Sequence, residues 1–228
     1  MPNKSNIPNL TSALRTSIVE SPDVIRHASG IRLFGKRIKT IVYSTDVALI
    51  ANCDADAILA VYPWTPNTRI LDAISKVANV PILAGVGGGL TKGLRAATVA
   101  RFAEENGAQA VVLNAPTGLE TLKSVRQVVD VPIFYTVVNR SADLHAYVNA
   151  GVNALNIAGG KETPALVSWA RTQVPADFAI IASGGKTDDQ IQATIAAGAN
   201  AITYTAYGMT EKTFQAKMAQ YRSEHAPQ

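Results

Sequence analysis

The chain is poor in the side chains on which the commonest metal and redox chemistries rest. Its 228 residues contain one cysteine and three histidines, and only 6% are aromatic. A lone Cys53 excludes an internal disulfide, and the scattered His27, His145 and His225 give no spacing that would hold zinc, so no metal is expected. Cys53 stands in Ala51-Asn52-Cys53-Asp54, which reads as a helix end with a buried structural thiol. No apolar run approaches the roughly 18 residues of a membrane span. The opening residues 1–9 are polar, with Pro2 and Pro8, and lack the apolar heart of a secretory signal. A reducing, cytoplasmic setting without membrane contact is the expectation. A dense basic stripe is also missing. The formal charge of +4 concentrates only at Arg32, Lys36, Arg37 and Lys39, without interleaved aromatics, which argues against nucleic acid as the partner. A modest basic excess suits a small anion.

What is present is regular. The chain is 47% hydrophobic and 17% charged, with 16 glycines and 11 prolines, a composition of globular proteins. Its length suits one domain over residues 1–228, with residues 1–30 as a helical extension (Leu10–Ala28, interrupted at Ser21-Pro22). One phrase recurs four times: Cys53-Asp54-Ala55-Asp56-Ala57-Ile58, Asn106-Gly107-Ala108-Gln109-Ala110-Val111, Ala150-Gly151-Val152-Asn153-Ala154-Leu155 and Ala197-Gly198-Ala199-Asn200-Ala201-Ile202. Three copies carry a glycine suited to end a helix in the left-handed conformation, and an apolar run follows like a buried strand. Val80-Pro81-Ile82-Leu83 and Val131-Pro132-Ile133-Phe134 alternate with it, with Asp177-Phe178-Ala179-Ile180-Ile181 as a weaker copy. Proline at a strand entrance removes no interior ladder bond.

The pattern predicts strands at Thr40–Tyr43, Asp56–Val61, Ile82–Gly85, Ala110–Leu113, Ile133–Val137, Ala154–Ala158, Ala179–Ala182 and Ala201–Thr205. Helices separate them, as at Thr91–Glu105 with Leu94, Val99 and Phe102 at helical spacing. Eight βα units in so short a chain specify an α/β fold, a (β/α)₈ TIM barrel, over the alternative of an open doubly wound sheet. A hairpin, Ile31–Phe34 and Arg37–Ile41 around Gly35-Lys36, is placed to close the barrel's N-terminal end.

In such a barrel the site lies in the loops after the strands. The foremost candidate is Ala182-Ser183-Gly184-Gly185-Lys186-Thr187-Asp188-Asp189, where two glycines precede a helix start and their amides can approach a phosphate. Ala206, Tyr207 and Gly208 follow the last strand opposite. Gly159 and Gly160 form another pair after the sixth strand. Asp46, Lys161 and Lys186 are the catalytic candidates, as proton carriers, or for the lysines as phosphate partners or imine formers. Asp46 also reads as the N-cap of a helix from Val47. Asn114 and Asn139 end strands and are candidates to bind substrate hydroxyl or carbonyl groups, though they read equally as turn formers, and Tyr43 is a candidate to wall the substrate pocket or a plain packing residue. The run Gly85-Val86-Gly87-Gly88-Gly89 reads as a ligand-admitting loop, a mobile lid or a plain flexible loop.

Ser183-Gly184-Gly185 followed by a helix, Ala197–Ile202 and a short loop resembles the phosphate-binding half of the ribulose-phosphate-binding barrels. That superfamily includes thiazole synthase, indoleglycerol-phosphate synthase, tryptophan synthase α and N-acetylmannosamine-6-phosphate epimerase. The hairpin leading into Ile41-Val42-Tyr43 is similar to the start of thiazole synthase. That family's Schiff-base lysine would fall in Val111-Val112-Leu113-Asn114, which has none. The resemblance implies an isomerase or lyase acting on a phosphorylated small molecule, without a required cofactor. Two alternatives stand beside it. Ala158-Gly159-Gly160 with Ser183-Gly184-Gly185 is also similar to nitronate monooxygenase barrels, which implies FMN. The basic Arg32–Lys39 cluster is compatible with a ligand-sensing regulator resembling glycerol-uptake antiterminator proteins. A homo-oligomer is left open.

Overall fold

The computed structural model describes residues 18–64 and 67–224, together with Pro8, Leu10 and Ser12. The chain enters the barrel through an antiparallel hairpin, β1 (Ile31–Leu33) and β2 (Lys36–Ile38). Its two turn residues, Phe34 and Gly35, have φ of 44° and 83°, the backbone twist that matches paired strands. Ile31, Leu33 and Ile38 are buried against the barrel's inner layer of Ile41, Leu59, Leu83 and Phe134, so the hairpin plugs the N-terminal end as expected.

Eight parallel strands follow: β3 (Thr40–Tyr43), β4 (Ala57–Ala60), β5 (Ile82–Gly87), β6 (Ala110–Leu113), β7 (Ile133–Val137), β8 (Ala154–Ile157), β9 (Ala179–Ser183) and β10 (Ala201–Thr205). They close into a TIM barrel through β10 and β3, with Thr203 opposite Ile41 and Thr205 opposite Tyr43. Helices α1 (Val47–Ala51), α2 (Thr68–Val77), α3 (Gly93–Glu105), α4 (Leu119–Arg126), α5 (Leu144–Asn149), α6 (Thr163–Arg171), α7 (Asp188–Ala196) and α8 (Met209–Glu224) follow the strands in turn.

The repeated phrases have local physical causes. Gly107, Gly151 and Gly198 stand just past α3, α5 and α7 with φ of 85°, 103° and 109°, which side chains resist and glycine accepts. The polar residue that follows joins neighbouring strands. Asp56 Oδ2 accepts from Thr40 N at 3.0 Å, Asn153 Oδ1 from Ile133 N at 2.9 Å and Asn200 Oδ1 from Ile180 N at 2.9 Å. At the entrances, Pro81 and Pro132 give only their carbonyls, to Ile58 N at 2.9 Å and Val111 N at 3.0 Å.

Two expectations are corrected. Part of Leu10–Ala28 lies outside the described residues, and the described stretch 18–28 is not an α-helix. Val19 bridges to Cys53 as in a parallel sheet, and Asp23–His27 is a 3₁₀ turn whose Ile25 is fully buried. This segment packs against α7 and the end of α1. α8 is largely exposed and touches the ring through α1. In α3, Leu94 is exposed, while Ala96, Ala97, Ala100 and Ala103 form the buried face. Small side chains let α3 approach β5 and α4 closely.

Candidate active site at the barrel mouth

Side chains alternate in and out along each strand, so the last inward residues of the eight strands converge at the C-terminal mouth. They surround a cavity of about 430 Å³ lined by Tyr43, Leu59, Val61 and Ala158 and by the polar Asn114, Thr136, Asn156, Ser183, Thr203 and Thr205. Lys186 and Gly185 stand at its rim. Among the described residues, Lys186 is the only charged side chain on this wall; neither carboxylate nor imidazole reaches it.

Three polar side chains on adjacent strands are joined across the floor. Asn156 Nδ2 donates to Thr136 Oγ1 at 3.1 Å, and Thr136 Oγ1 donates to Asn114 Oδ1 at 3.1 Å. Asn114 Nδ2 lies 3.4 Å from Gly87 O. Thr136 and Asn156 are each nine-tenths buried or more, so they meet in a setting where unpaired polar atoms are costly. A second cavity of about 550 Å³ adjoins the first through Tyr43, Val61, Asn114 and Thr136, with exposed Trp64 and Leu90 on its outer wall.

The glycine run that supplies part of this wall is tied down. Gly88 and Thr91 exchange backbone hydrogen bonds at 3.1 and 3.0 Å, and Gly89 N donates to Pro116 O at 3.1 Å. Gly88 has φ 141°, and a Cβ there would lie 2.5 Å from Asn114 O. Glycine is needed for this close approach of two backbones, and the run forms a pinned wall.

The sequence candidates separate. Tyr43, Asn114, Gly185 and Lys186 all line the mouth cavity. Asp46 does not. It caps α1, its Oδ1 accepting from Ala48 N at 2.9 Å and Leu49 N at 3.2 Å, and its Oδ2 from Thr210 Oγ1 at 2.5 Å. Burial pushes its carboxyl up, but the Thr210 hydroxyl and the Leu49 and Ala48 amides outweigh that and hold it below the ordinary aspartate value. A carboxylate so engaged is a structural cap and a poor base. Lys161 is exposed in the 3₁₀ turn Gly160–Glu162, off the cavity wall. Asn139 forms a turn, accepting from Ser141 N at 3.0 Å and Ser141 Oγ at 2.5 Å.

Of the amides expected to cradle phosphate, Gly184 N donates to Thr203 O at 2.9 Å and Gly159 N to Thr163 Oγ1 at 3.1 Å. Both are thereby engaged inside the protein. Gly160 shares the turn of Lys161, outside the mouth wall. Tyr207 N turns back to Thr205 Oγ1 at 3.3 Å, and the Tyr207 side chain is exposed. Among the described residues the amides of Gly185 and Gly208 carry no internal bond, whereas Ala206 is buried where the β10–β3 ladder ends at Thr205 opposite Tyr43, and neither Ala206 nor Gly208 lines the mouth cavity. Lys186 N is bonded to Gln190 Oε1 at 2.7 Å, and Thr187 Oγ1 accepts from Gln190 N at 3.4 Å. Gln190 thus serves as the reciprocal arm of a capping box, reaching one residue further back than usual. Thr136, Asn156 and Thr203 were missed by sequence reasoning. Asn156 inside the apolar Ala154-Leu155-Asn156-Ile157 was the signal available.

No family model and no curated protein matches this chain. Solved structures do. Phosphonopyruvate hydrolase aligns with a TM-score of 0.62 at 14% identity over 84% of this chain and 84% of its own. Dihydrodipicolinate synthase of Agrobacterium tumefaciens gives 0.57 at 17% over 82% and 78%. 2,3-Dimethylmalate lyase, of the PEP mutase/isocitrate lyase superfamily, gives 0.60 at 12% over 90% and 86%. At such identities the likeness is one of fold, a TIM barrel. These neighbours carry other names than the ribulose-phosphate binders that the 183–185 loop resembles, so only the barrel itself carries over from that resemblance. Phosphonopyruvate hydrolase is also known with oxalate and Mg²⁺. Among the described residues here, no group of three or more His, Cys, Asp or Glu is placed to hold a metal. Among the described residues, no helix is long and apolar enough to cross a membrane.

Proposed function

We propose that the chain is an isomerase or lyase that binds a phosphorylated small metabolite in the mouth cavity. The observation that carries this reading is the single cation, Lys186, at the rim of an otherwise uncharged polar pocket. A lone ammonium beside a partly dry wall attracts an anion and fixes which end of the ligand lies there. Gly185, with its amide unengaged, supplies a second contact on the same wall. The neutral amides and hydroxyls on the floor suit the carbonyl or hydroxyl end, where charge develops when a bond next to a carbonyl is broken. Lys186 is then the lining group available to move a proton or to form an imine. Two named neighbours, the hydrolase of phosphonopyruvate and the lyase of 2,3-dimethylmalate, take small anionic acids, which supports an anionic substrate.

The test is a calorimetric titration of the whole chain with inorganic phosphate and a panel of phosphorylated three- to six-carbon metabolites. Loss of a charge-assisted contact costs about 1.5–3 kcal/mol, so Lys186→Ala should weaken the best binder by at least about tenfold. Equal binding by Lys186→Ala, or no binding by any member of the panel, would sink the proposal.

A further inference from the structure

A backbone carbonyl accepts hydrogen bonds and cannot donate them. That sets the direction of the whole relay at the cavity floor. Gly87 O faces the Asn114 amide at 3.4 Å, so Asn114 must turn Nδ2 toward it and Oδ1 toward Thr136. Thr136 gives its one proton to that oxygen at 3.1 Å, which leaves its own oxygen to accept from Asn156 Nδ2 at 3.1 Å. The amide of Asn156 is thereby oriented, with Oδ1 turned away from β7. Asn156 is 4% exposed, and Oδ1 is buried without a partner among the described residues. Native proteins seldom leave a buried acceptor unpaired. Hydrogen bonds in series also polarise one another, which sharpens the acceptor at the end of the chain.

We infer that Asn156 is the specificity-determining residue of the mouth cavity, its Oδ1 accepting a hydrogen bond from a hydroxyl donor on the ligand. Asn114 and Thr136 are positioning residues that keep the oxygen, and not the nitrogen, turned to the ligand. This rests on the reading of the cavity as an anion site, with Lys186 holding the opposite end. The ligand class narrows to small hydroxylated anions such as polyol or sugar phosphates. An analogue lacking the hydroxyl leaves the acceptor unpaired and is rejected for that reason.

The experiment is an NMR titration of the whole chain with glycerol 3-phosphate and with propyl phosphate, which has the same phosphate and carbon count but no hydroxyl. Wild type should prefer glycerol 3-phosphate by about tenfold, the worth of one buried hydrogen bond. Asn156→Leu, similar in size and without an acceptor, should bind the two alike and melt no lower than wild type. Thr136→Val frees the Asn156 amide to turn and should erode the preference, while Thr136→Ser restores it. Lys186→Ala should weaken both ligands and leave their ratio intact. Equal binding by wild type, or a preference that survives in Asn156→Leu, overturns the inference while a Lys186 effect keeps the anion site standing. If neither phosphate perturbs a mouth residue at high millimolar concentration, both readings fall. A crystal structure with glycerol 3-phosphate bound and a retained water on Oδ1 would likewise overturn it.

Discussion

Asp46 and Thr210 lie 164 residues apart in sequence, yet Thr210 Oγ1 donates to Asp46 Oδ2 at 2.5 Å. The other carboxylate oxygen caps α1, so one side chain joins the start of α1 to the start of α8. α8 is largely exposed and meets the ring at α1, where this link lies. Asp46→Ala should therefore lower stability by about 1–2 kcal/mol, the usual cost of an N-cap, as read from urea unfolding. Affinity for phosphate ligands should not change, since Asp46 does not line the mouth. A variant that unfolds normally but loses ligand would return Asp46 to the site.

The same residue gives a pH prediction. Its folded carboxyl titrates below its ordinary value; burial opposes this, and the Thr210 hydroxyl and the Leu49 and Ala48 amides outweigh it. A depressed folded value means stability that is fully present above the unfolded value, about 3.9, and lost as pH falls through the folded one. Asn caps helices about as well as Asp, so Asp46→Asn keeps the cap and removes the titration. The stability gap between wild type and Asp46→Asn should be constant from neutral pH down to about pH 5 and shrink below about pH 4. Urea midpoints across that range measure it, and a gap that widens in acid contradicts it.

How much of this was readable beforehand depended on how local the cause was. Three strands, Ala110–Leu113, Ile133–Val137 and Ala201–Thr205, fall where the proline entrances and glycine exits put them, because both signals are backbone constraints within a few residues. Of the periodic residues of α3, Val99 and Phe102 pack on the core and Leu94 does not, since helical periodicity counts large apolar residues and is blind to an alanine stripe. Lys161 and Lys186 look equivalent as loop lysines after glycine pairs. The 3₁₀ turn at Gly160–Glu162 carries the first off the mouth wall, while the Thr187 cap leaves the second on the rim. Asn156 and Thr136 become one feature only when β7 and β8 are paired in register, which no single segment announces.

If the mouth holds an anion as proposed, Gln190 competes with it. Its Oε1 accepts from Lys186 N at 2.7 Å and lies 2.5 Å from where a Cβ on Gly185 would sit. Gln190→Ala removes an acceptor from the loop and releases a second amide beside Gly185. Inorganic phosphate should bind severalfold tighter to this variant, at a cost of about 0.5–1.5 kcal/mol in stability from the lost hydrogen bond. Calorimetry and urea unfolding on the same sample test both halves. Unchanged phosphate affinity would remove the loop amides from the anion site and leave the Lys186 side chain alone.

Asn200 carries more than its neighbours in the repeat. Its Oδ1 accepts Ile180 N at 2.9 Å and Arg171 Nη2 at 2.5 Å, while Arg171 also bonds Gly198 O at 2.9 Å and Phe178 O at 2.6 Å. Burial lowers the Arg171 guanidinium's proton affinity, so its remaining acceptors matter. Asn200→Ala strands one amide and weakens the guanidinium clamp, for an expected loss of about 2–3 kcal/mol. Asn200→Asp keeps the acceptor and should lose less. Equal losses in thermal unfolding would show that the acceptor is not what Asn200 provides.

Gly88 links backbone geometry to the floor of the cavity. At φ 141° it already occupies a conformation hostile to side chains, and an added Cβ would meet Asn114 O at 2.5 Å and Asn114 Cβ at 2.9 Å. Neither contact is the far end of a flexible side chain, so the β5 and β6 ends must separate. Backbone strain of this kind costs about 1–3 kcal/mol, and the displaced Asn114 sits at the fixed end of the relay through Thr136 to Asn156. Gly88→Ala should therefore destabilise the chain by at least about 2 kcal/mol and shift the side-chain amide resonances of both Asn114 and Asn156. Gly89 is the control: its amide bonds Pro116 O, but a Cβ there meets nothing within 4 Å. Gly89→Ala, with φ 56°, should cost about 1 kcal/mol of left-handed strain and leave the Asn156 resonance in place. If both variants move Asn156 alike, the relay is answering general loosening of the loop and Gly88 has no special hold on it.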